Sequence, residues 1–107
     1  PLRMQEVHKE GVLFGHSVNG APADCVKLAV FNLLDRKPDL LASGINLGEN
    51  AGINALYSGT VAAAIEGAIC GIPSLAISLE VGDIPDFTYA AHIAKKIAQQ
   101  VLSSNLP

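Results

Sequence analysis

The residues best suited to chemistry lie in one loop, between an apolar run and an alanine-rich run of the sequence. Asn46 offers a neutral carboxamide oxygen, and Ser58 and Thr60 offer hydroxyls on either side of Gly59. Neutral oxygens suit hard divalent cations such as Mg2+ or Mn2+, whereas hydroxyls and backbone N–H groups at the start of a helix bind phosphate. The loop therefore favours a site for a small anion and a divalent cation.

Each of these residues also has a purely structural interpretation. Ser58 or Thr60 can simply cap the helix that follows, and an asparagine in a loop commonly forms a turn. Glu49 is the nearest acid and is interpreted as a solvated side chain, and no acidic pair adjoins the loop to balance the charge of a metal. Local chemistry alone leaves both interpretations open.

An α/β arrangement is predicted around this loop. The apolar runs Asp39–Ile45 and Ser74–Val81 are typical of buried parallel strands, and the small-residue run Ser58–Ile69 between them is typical of a helix. A strand, helix and strand in this order require a parallel pairing with a crossover connection. Open sheets of this kind bind ligands outside the carboxyl ends of their strands, which is where Asn46 is expected to lie.

Three more elements are predicted outside this unit. Leu2–His8 and Val12–Val18 are short strands joined by a glycine-containing connection, as in a hairpin. A helix begins near Pro22, where proline suits the first helical position, stops before Pro38, and has an apolar face that packs on the sheet. The apolar spacing of Phe87–Leu102 predicts a last amphipathic helix.

Composition limits the classes of function. A chain of 107 residues that is 50% hydrophobic predicts one domain with a core. A net charge of -3, with no basic cluster larger than Lys95-Lys96, argues against binding to a nucleic-acid polymer. No apolar run approaches the roughly 20 residues that a membrane span needs. Cys25 and Cys70 lie far apart in predicted helices, so we expect them to be buried and reduced, which suits the cytoplasm.

Several common motifs are absent from the sequence. Gly44, Gly48 and Gly52 are spaced four residues apart, which is not the dinucleotide-binding pattern, and no lysine follows a glycine as a P-loop requires. Neither Ser43 nor Ser58 has the flanking glycines of a nucleophile elbow, which argues against a serine hydrolase.

Four blocks of the sequence, in their order and spacing, resemble one known family. The blocks are Gly20–Ala29, Pro38–Asn46, Leu56–Gly67 and Gly71–Leu79. They resemble SurE, the stationary-phase survival protein family, whose members are metal-dependent nucleotidases that remove phosphate from nucleoside monophosphates. The resemblance covers roughly residues 19 to 79, and the helix after Asp86 fits the family's usual continuation.

This resemblance carries expectations about fold, ligands and site. It implies a three-layer, Rossmann-like α/β domain with a mostly parallel sheet, of which residues 1–107 would form the central part. It implies a 5'/3'-nucleotidase that uses Mg2+ or Mn2+ on a nucleoside monophosphate and assembles as a homodimer or homotetramer. By position, Asn46 resembles the family's metal ligand, and Ser58, Gly59 and Thr60 resemble its phosphate-side loop.

The chain also departs from the family's pattern. The family's metal-binding aspartate pair, in an N-D-D-G motif, and a serine ligand both precede the region that corresponds to Pro1, so the catalytic residues are expected outside this chain. Where many members have two acids before Y-S-G-T, this chain has Ile53 and Asn54. The isolated chain is therefore expected to bind metal weakly and to hydrolyse little. The alternatives are a non-catalytic nucleotide-binding or assembly module and a phosphatase of broad specificity.

Overall fold

The computed structural model describes residues 2–48, 59–79 and 86–104. Strands and helices alternate along most of this length, as predicted for an α/β domain. In chain order the elements are β1 (Met4–Lys9), β2 (Val12–Val18), α1 (Pro22–Leu28), β3 (Leu41–Leu47), α2 (Gly59–Ile69), β4 (Ser74–Leu79) and α3 (Phe87–Ser104). No helix within these ranges is long and apolar enough to cross a membrane.

The predicted hairpin of β1 and β2 is confirmed. The two strands pair antiparallel, and the turn between them uses Glu10 and Gly11, both with positive φ. The pair lies largely apart from the other described elements. Val12 and Phe14 consequently expose 68% and 72% of their surface.

Helix α1 begins at Pro22, as predicted. The backbone N–H of Ala21 donates to the Asp24 carboxylate at 2.9 Å, which fixes the start of the helix. The last turns widen into a π-helical segment, Ala29–Leu33, and Leu34 is already extended. The helix therefore stops before Pro38, as predicted, because the widened turn leads straight into extended backbone.

The predicted packing of α1 on the sheet is wrong in its main contact, because α1 packs chiefly against α2. Gly59 has no side chain, and a Cβ there would lie 2.9 Å from Pro22 Cγ, so the starts of the two helices come close. Val26 is the buried residue of α1. Cys25 is exposed and Cys70 is partly buried; both are free thiols as predicted, but the predicted burial of Cys25 is wrong because Val26 takes the inner position.

Strands β3 and β4 pair in parallel, which confirms the prediction for this unit. Strand β3 nevertheless begins and ends two residues later than predicted. Asp39 lies outside the strand, on the surface, where it forms an ion pair with Arg36 at 2.9 Å. The first ladder bond runs from Leu41 N–H to the Pro73 carbonyl at 2.9 Å. Asn46 therefore belongs to the strand itself, one residue before its end.

The helices lie on both faces of the parallel pair, which gives three layers. In α2, Gly67 lies so close to the sheet that a Cβ there would sit 2.8 Å from Leu41 Cδ1 and would also overlap Ser74 Oγ. Helix α3 covers the opposite face across a cavity of about 320 Å³, whose walls include Ala42, Leu75, Ile77, Ala91 and Ala94. Helix α3 extends two residues beyond its predicted end.

Small apolar side chains form the centre of the described core. The buried hydrophobic residues among those described are Val26, Ala63, Ile72 and Ala90, and Ile72 is the largest side chain that is fully buried. Ala63 and Gly67 place the backbone of α2 close to the sheet, as the alanine-rich sequence predicted. This close packing holds α2 in a fixed position relative to β3, and β3 carries the first candidate site residue.

Candidate functional site

Strand β3 contains an irregularity that decides where Asn46 points. Between Ser43 and Asn46 the strand advances three residues, while its partner β4 advances only two. The extra residue makes a β-bulge, a feature that often re-aims a side chain next to a functional site. Gly44 occupies the bulge with φ +125°, and a Cβ there would overlap the carbonyl oxygen of Ile77. Only glycine fits this position without moving β4.

The bulge places Asn46 on the same face of the sheet as α2. Residues that pair across parallel strands share a face, and Asn46 pairs with Ser78. Ser78 follows Ser74 by four residues in β4, so their side chains project from the same face of the sheet. Ser74 lies against Gly67 of α2. Without the extra residue, Asn46 would pair with Leu79 and its side chain would project from the face that α3 covers.

Helix α2 runs back along β3, so its first residues approach the carboxyl end of the strand. Gly67, late in the helix, lies against Leu41, the first residue of β3. Further along, Ala63 and Ser43 line one cavity of about 320 Å³ between α1, α2 and β3. Helix α2 and strand β3 therefore run in opposite directions, and the first residues of α2 lie toward the end of β3.

Thr60 and Asn46 lie further in this direction, toward the carboxyl edge of the sheet. Thr60 lies one helical turn before Ala63, about 4.5 Å along the helix axis. Asn46 lies opposite Ser78, two strand steps beyond the partner of Ser43, which is about 7 Å along the sheet. Measured from the cavity that Ala63 and Ser43 share, Thr60 and Asn46 thus lie on the same side of the sheet and toward the same edge, offset by roughly 2 Å along it.

The carboxamide of Asn46 is half-buried and has a defined orientation. Its Nδ2 donates to the backbone carbonyl of Gly48 at 3.3 Å. A carbonyl only accepts hydrogen bonds, so the NH2 end must face Gly48 and Oδ1 must face away. An amide oxygen held in this way suits a hard divalent cation.

Asn46 alone does not make a complete metal site. Across residues 2–48, 59–79 and 86–104, no group of three or more His, Cys, Asp and Glu side chains is placed to hold a metal ion. The described residues therefore supply one neutral metal ligand, Asn46, but not the carboxylates that normally balance the charge of a divalent cation.

The structure describes only two of the three predicted phosphate-side residues. Ser58 lies outside the described residues. Gly59 begins α2, and its contact with Pro22 gives this glycine a packing role of its own. Thr60 is buried, with 9% of its surface exposed, and makes at least one polar interaction. The anion-binding roles of these three residues stay predictions.

Sequence reasoning missed the two glycines that position Asn46. Gly44 forms the bulge before it, and Gly48 accepts its hydrogen bond after it. The signal was present, because a glycine inside a strand pattern often marks a bulge or a close backbone approach.

Comparisons with known proteins identify close relatives. The family model described as "Survival protein SurE" matches residues 1–107. The chain is 54% identical over 107 residues to the 5'-nucleotidase SurE of Chlorobium chlorochromatii and 45% identical over 107 residues to the 5'-nucleotidase SurE of Syntrophobacter fumaroxidans. The crystal structure of the SurE protein from Aquifex aeolicus superposes with a TM-score of 0.87 at 40% identity.

These relatives are considerably longer than the chain. Each of the three matches covers 100% of the chain, but only 39% and 43% of the two nucleotidases and 42% of the crystallised protein. The chain therefore spans about two fifths of the length of the relatives that it matches.

Proposed function

This chain belongs to the survival protein SurE family, and on that premise we propose that it is the central part of a metal-dependent 5'-nucleotidase. The proposed substrates are nucleoside monophosphates, by analogy with relatives named 5'-nucleotidase SurE. The observation that carries the proposal is the bulge in β3, because its register puts Asn46 on the face and at the edge where α2 begins.

Each candidate residue has a separate role in this proposal. Asn46 Oδ1 is one neutral ligand of a Mg2+ or Mn2+ ion. The phosphate is held by the backbone N–H groups of Ser58, Gly59 and Thr60 and by the hydroxyls of Ser58 and Thr60. When bound, the ion would polarise a phosphoryl oxygen. The positive end of the α2 dipole stabilises the negative charge that develops on the phosphate during hydrolysis.

The acidic half of the site is proposed to come from outside this chain. A hard cation needs charged oxygen ligands, and the described residues bring only one neutral amide to this edge. We propose that the aspartate pair expected from the family resemblance lies in the part of the relatives' length that has no counterpart here. The same part is proposed to complete the homodimer or homotetramer.

The proposal is tested on the full-length protein that carries this chain, with AMP as substrate and Mn2+ as metal. Replacing Asn46 with Ala should lower kcat/KM about 100-fold at limiting Mn2+, because a direct ligand costs at least as much as the outer partners of metal ligands do. Phosphate release measures the effect. Asn32→Ala is the matched control, since Asn32 is exposed in the π-helical segment and should leave turnover unchanged.

The competing functions predict different outcomes. Undiminished metal-dependent turnover in Asn46→Ala would remove Asn46 from the mechanism. A full-length protein that binds AMP without hydrolysing it, whatever divalent ion is added, would be a nucleotide-binding module. Equal kcat/KM for AMP and for p-nitrophenyl phosphate would indicate a phosphatase of broad specificity.

A further inference from the structure

We propose that Gly48 is a positioning residue whose backbone carbonyl holds the Asn46 carboxamide with Oδ1, rather than Nδ2, toward the metal. This inference rests on the proposed function, because it assumes that Asn46 is a metal ligand. Gly48 itself does not touch the ion in this proposal. It acts through the hydrogen bond that its carbonyl accepts from Asn46.

The side-chain amide of an asparagine is chemically asymmetric. The two ends of a carboxamide have almost the same shape but opposite hydrogen-bonding character. A rotation of 180° about the last bond would present NH2 to a cation, and no ligand would remain. A ligand asparagine therefore needs a partner that recognises its NH2 end, and the Gly48 carbonyl, 3.3 Å from Nδ2, is such a partner.

Gly48 is itself held in place by the sheet. Its N–H donates to the Leu79 carbonyl at 2.7 Å, which extends the pairing of β3 and β4 by one more bond. Its φ is +126°, in the region that favours glycine. This bond anchors the Gly48 nitrogen, and the direction of the carbonyl that faces Asn46 then depends on the backbone dihedral angles of Gly48.

A methyl group at position 48 would act through the backbone and not through a steric clash. A Cβ built on Gly48 meets only Asn46 Nδ2, at 3.8 Å, which is ordinary van der Waals contact. The positive φ is nevertheless strained for any L side chain. Gly48→Ala should therefore turn the peptide away from its present plane and withdraw the carbonyl from Asn46, while the core stays intact.

The experiment measures Mn2+ binding without substrate, in the full-length protein that carries this chain. Electron paramagnetic resonance of free Mn2+ gives the Kd. Gly48→Ala should raise that Kd about tenfold, as expected when the partner of a metal ligand is lost. Gly11→Ala is the matched control, since Gly11 also has positive φ, at +79°, but lies in the hairpin turn with open space around it. Its Mn2+ Kd should not change.

A double-mutant cycle separates positioning from a general structural effect. In an Asn46→Asp background the two carboxylate oxygens are equivalent, so no orientation is left for Gly48 to select. Adding Gly48→Ala to Asn46→Asp should then change the Mn2+ Kd less than about twofold. The same tenfold weakening in both backgrounds would mean that Gly48 supports the fold and not Asn46, and the inference would be overturned.

A measurement on the unmodified protein covers the case in which Gly48→Ala does not fold. A crystal structure with Mn2+ should show Asn46 Oδ1 on the ion and Nδ2 on the Gly48 carbonyl; a carbonyl turned elsewhere would overturn the inference. Failure of the unmodified protein to bind Mn2+ would overturn the proposed function as well. Normal Mn2+ binding and AMP hydrolysis, with an unchanged Kd in Gly48→Ala, would overturn this inference alone.

Discussion

Asn46 illustrates how a common residue type acquires a specific direction. An asparagine in a loop normally uses its side chain to stabilise a local turn, and the bond from Asn46 to Gly48 has that local character, since the two residues are only two apart. The same bond also leaves Oδ1 as the end that faces away. A turn-forming asparagine and a ligand asparagine are therefore compatible interpretations of this residue, although the sequence presented them as alternatives.

Thr60 allows a test of the phosphate side of the site at the residue scale. Replacing it with Val keeps the branched shape but removes the hydroxyl, so the KM for AMP should rise about tenfold if that hydroxyl donates to phosphate, as loss of a hydrogen bond to a charged group implies. Steady-state kinetics on the full-length protein measure this. Thr60→Ser keeps the hydroxyl and should restore the KM. An unchanged KM in Thr60→Val would leave Thr60 a purely structural role inside α2, where it is buried.

The sequence identified Asn46 as a candidate but could not provide its surroundings. Its position near the end of an apolar strand was visible in the pattern, and so was the helix start at Gly59. The direction of Asn46 depends on how many residues of β3 lie opposite those of β4, and that pairing joins segments more than thirty residues apart. Local patterns do not determine such a register.

At the scale of elements, strand β3 is both a core strand and the support of the site. Its central residues pair regularly with β4 up to Ser43, and the bulge then shifts the remaining residues by one position. The prediction of strand and helix types succeeded here because apolar runs and alanine-rich runs are local signals. The boundaries of β3 were wrong by two residues at each end, because they depend on which residues pair with β4, and the pattern of β3 alone does not show that.

The bulge at Gly44 makes a prediction about stability. Gly44→Ala should lower the free energy of unfolding by about 3 kcal/mol, because it combines positive φ with an overlap on the Ile77 carbonyl. Urea denaturation measures the change. Gly15→Ala is the control, since this glycine lies in β2 with nothing within 4 Å of its Cβ position. It should cost less than about 1 kcal/mol. Equal losses for the two variants would show that β3 tolerates a side chain at its bulge.

At the scale of the whole molecule, the chain exposes more surface than its mass requires. Its accessible surface is 7650 Å², whereas a typical folded monomer of 11.1 kDa exposes about 5,700 Å². Large apolar side chains contribute to this excess in the hairpin and on the helices. We propose that the remaining length seen in the relatives covers much of this surface and supplies the acidic residues of the site.

This proposal predicts different behaviour for the chain alone and for the full-length protein. The 107-residue chain should release no detectable phosphate from AMP with Mn2+, because the described residues bring no carboxylate cluster to the site. It should also bind the dye ANS through its exposed apolar side chains. Phosphate release and ANS fluorescence measure both properties. AMP hydrolysis by the isolated chain at the full-length rate would show that the acidic half is not needed.

The hydrogen bond between Gly48 N–H and the Leu79 carbonyl has one more consequence. Any motion that separates the ends of β3 and β4 must break this bond, which frees the Gly48 backbone to rotate and its carbonyl to leave Asn46. In the proposed metal site, pairing of the two strand ends and binding of the cation would therefore favour each other: each raises the free-energy cost of losing the other.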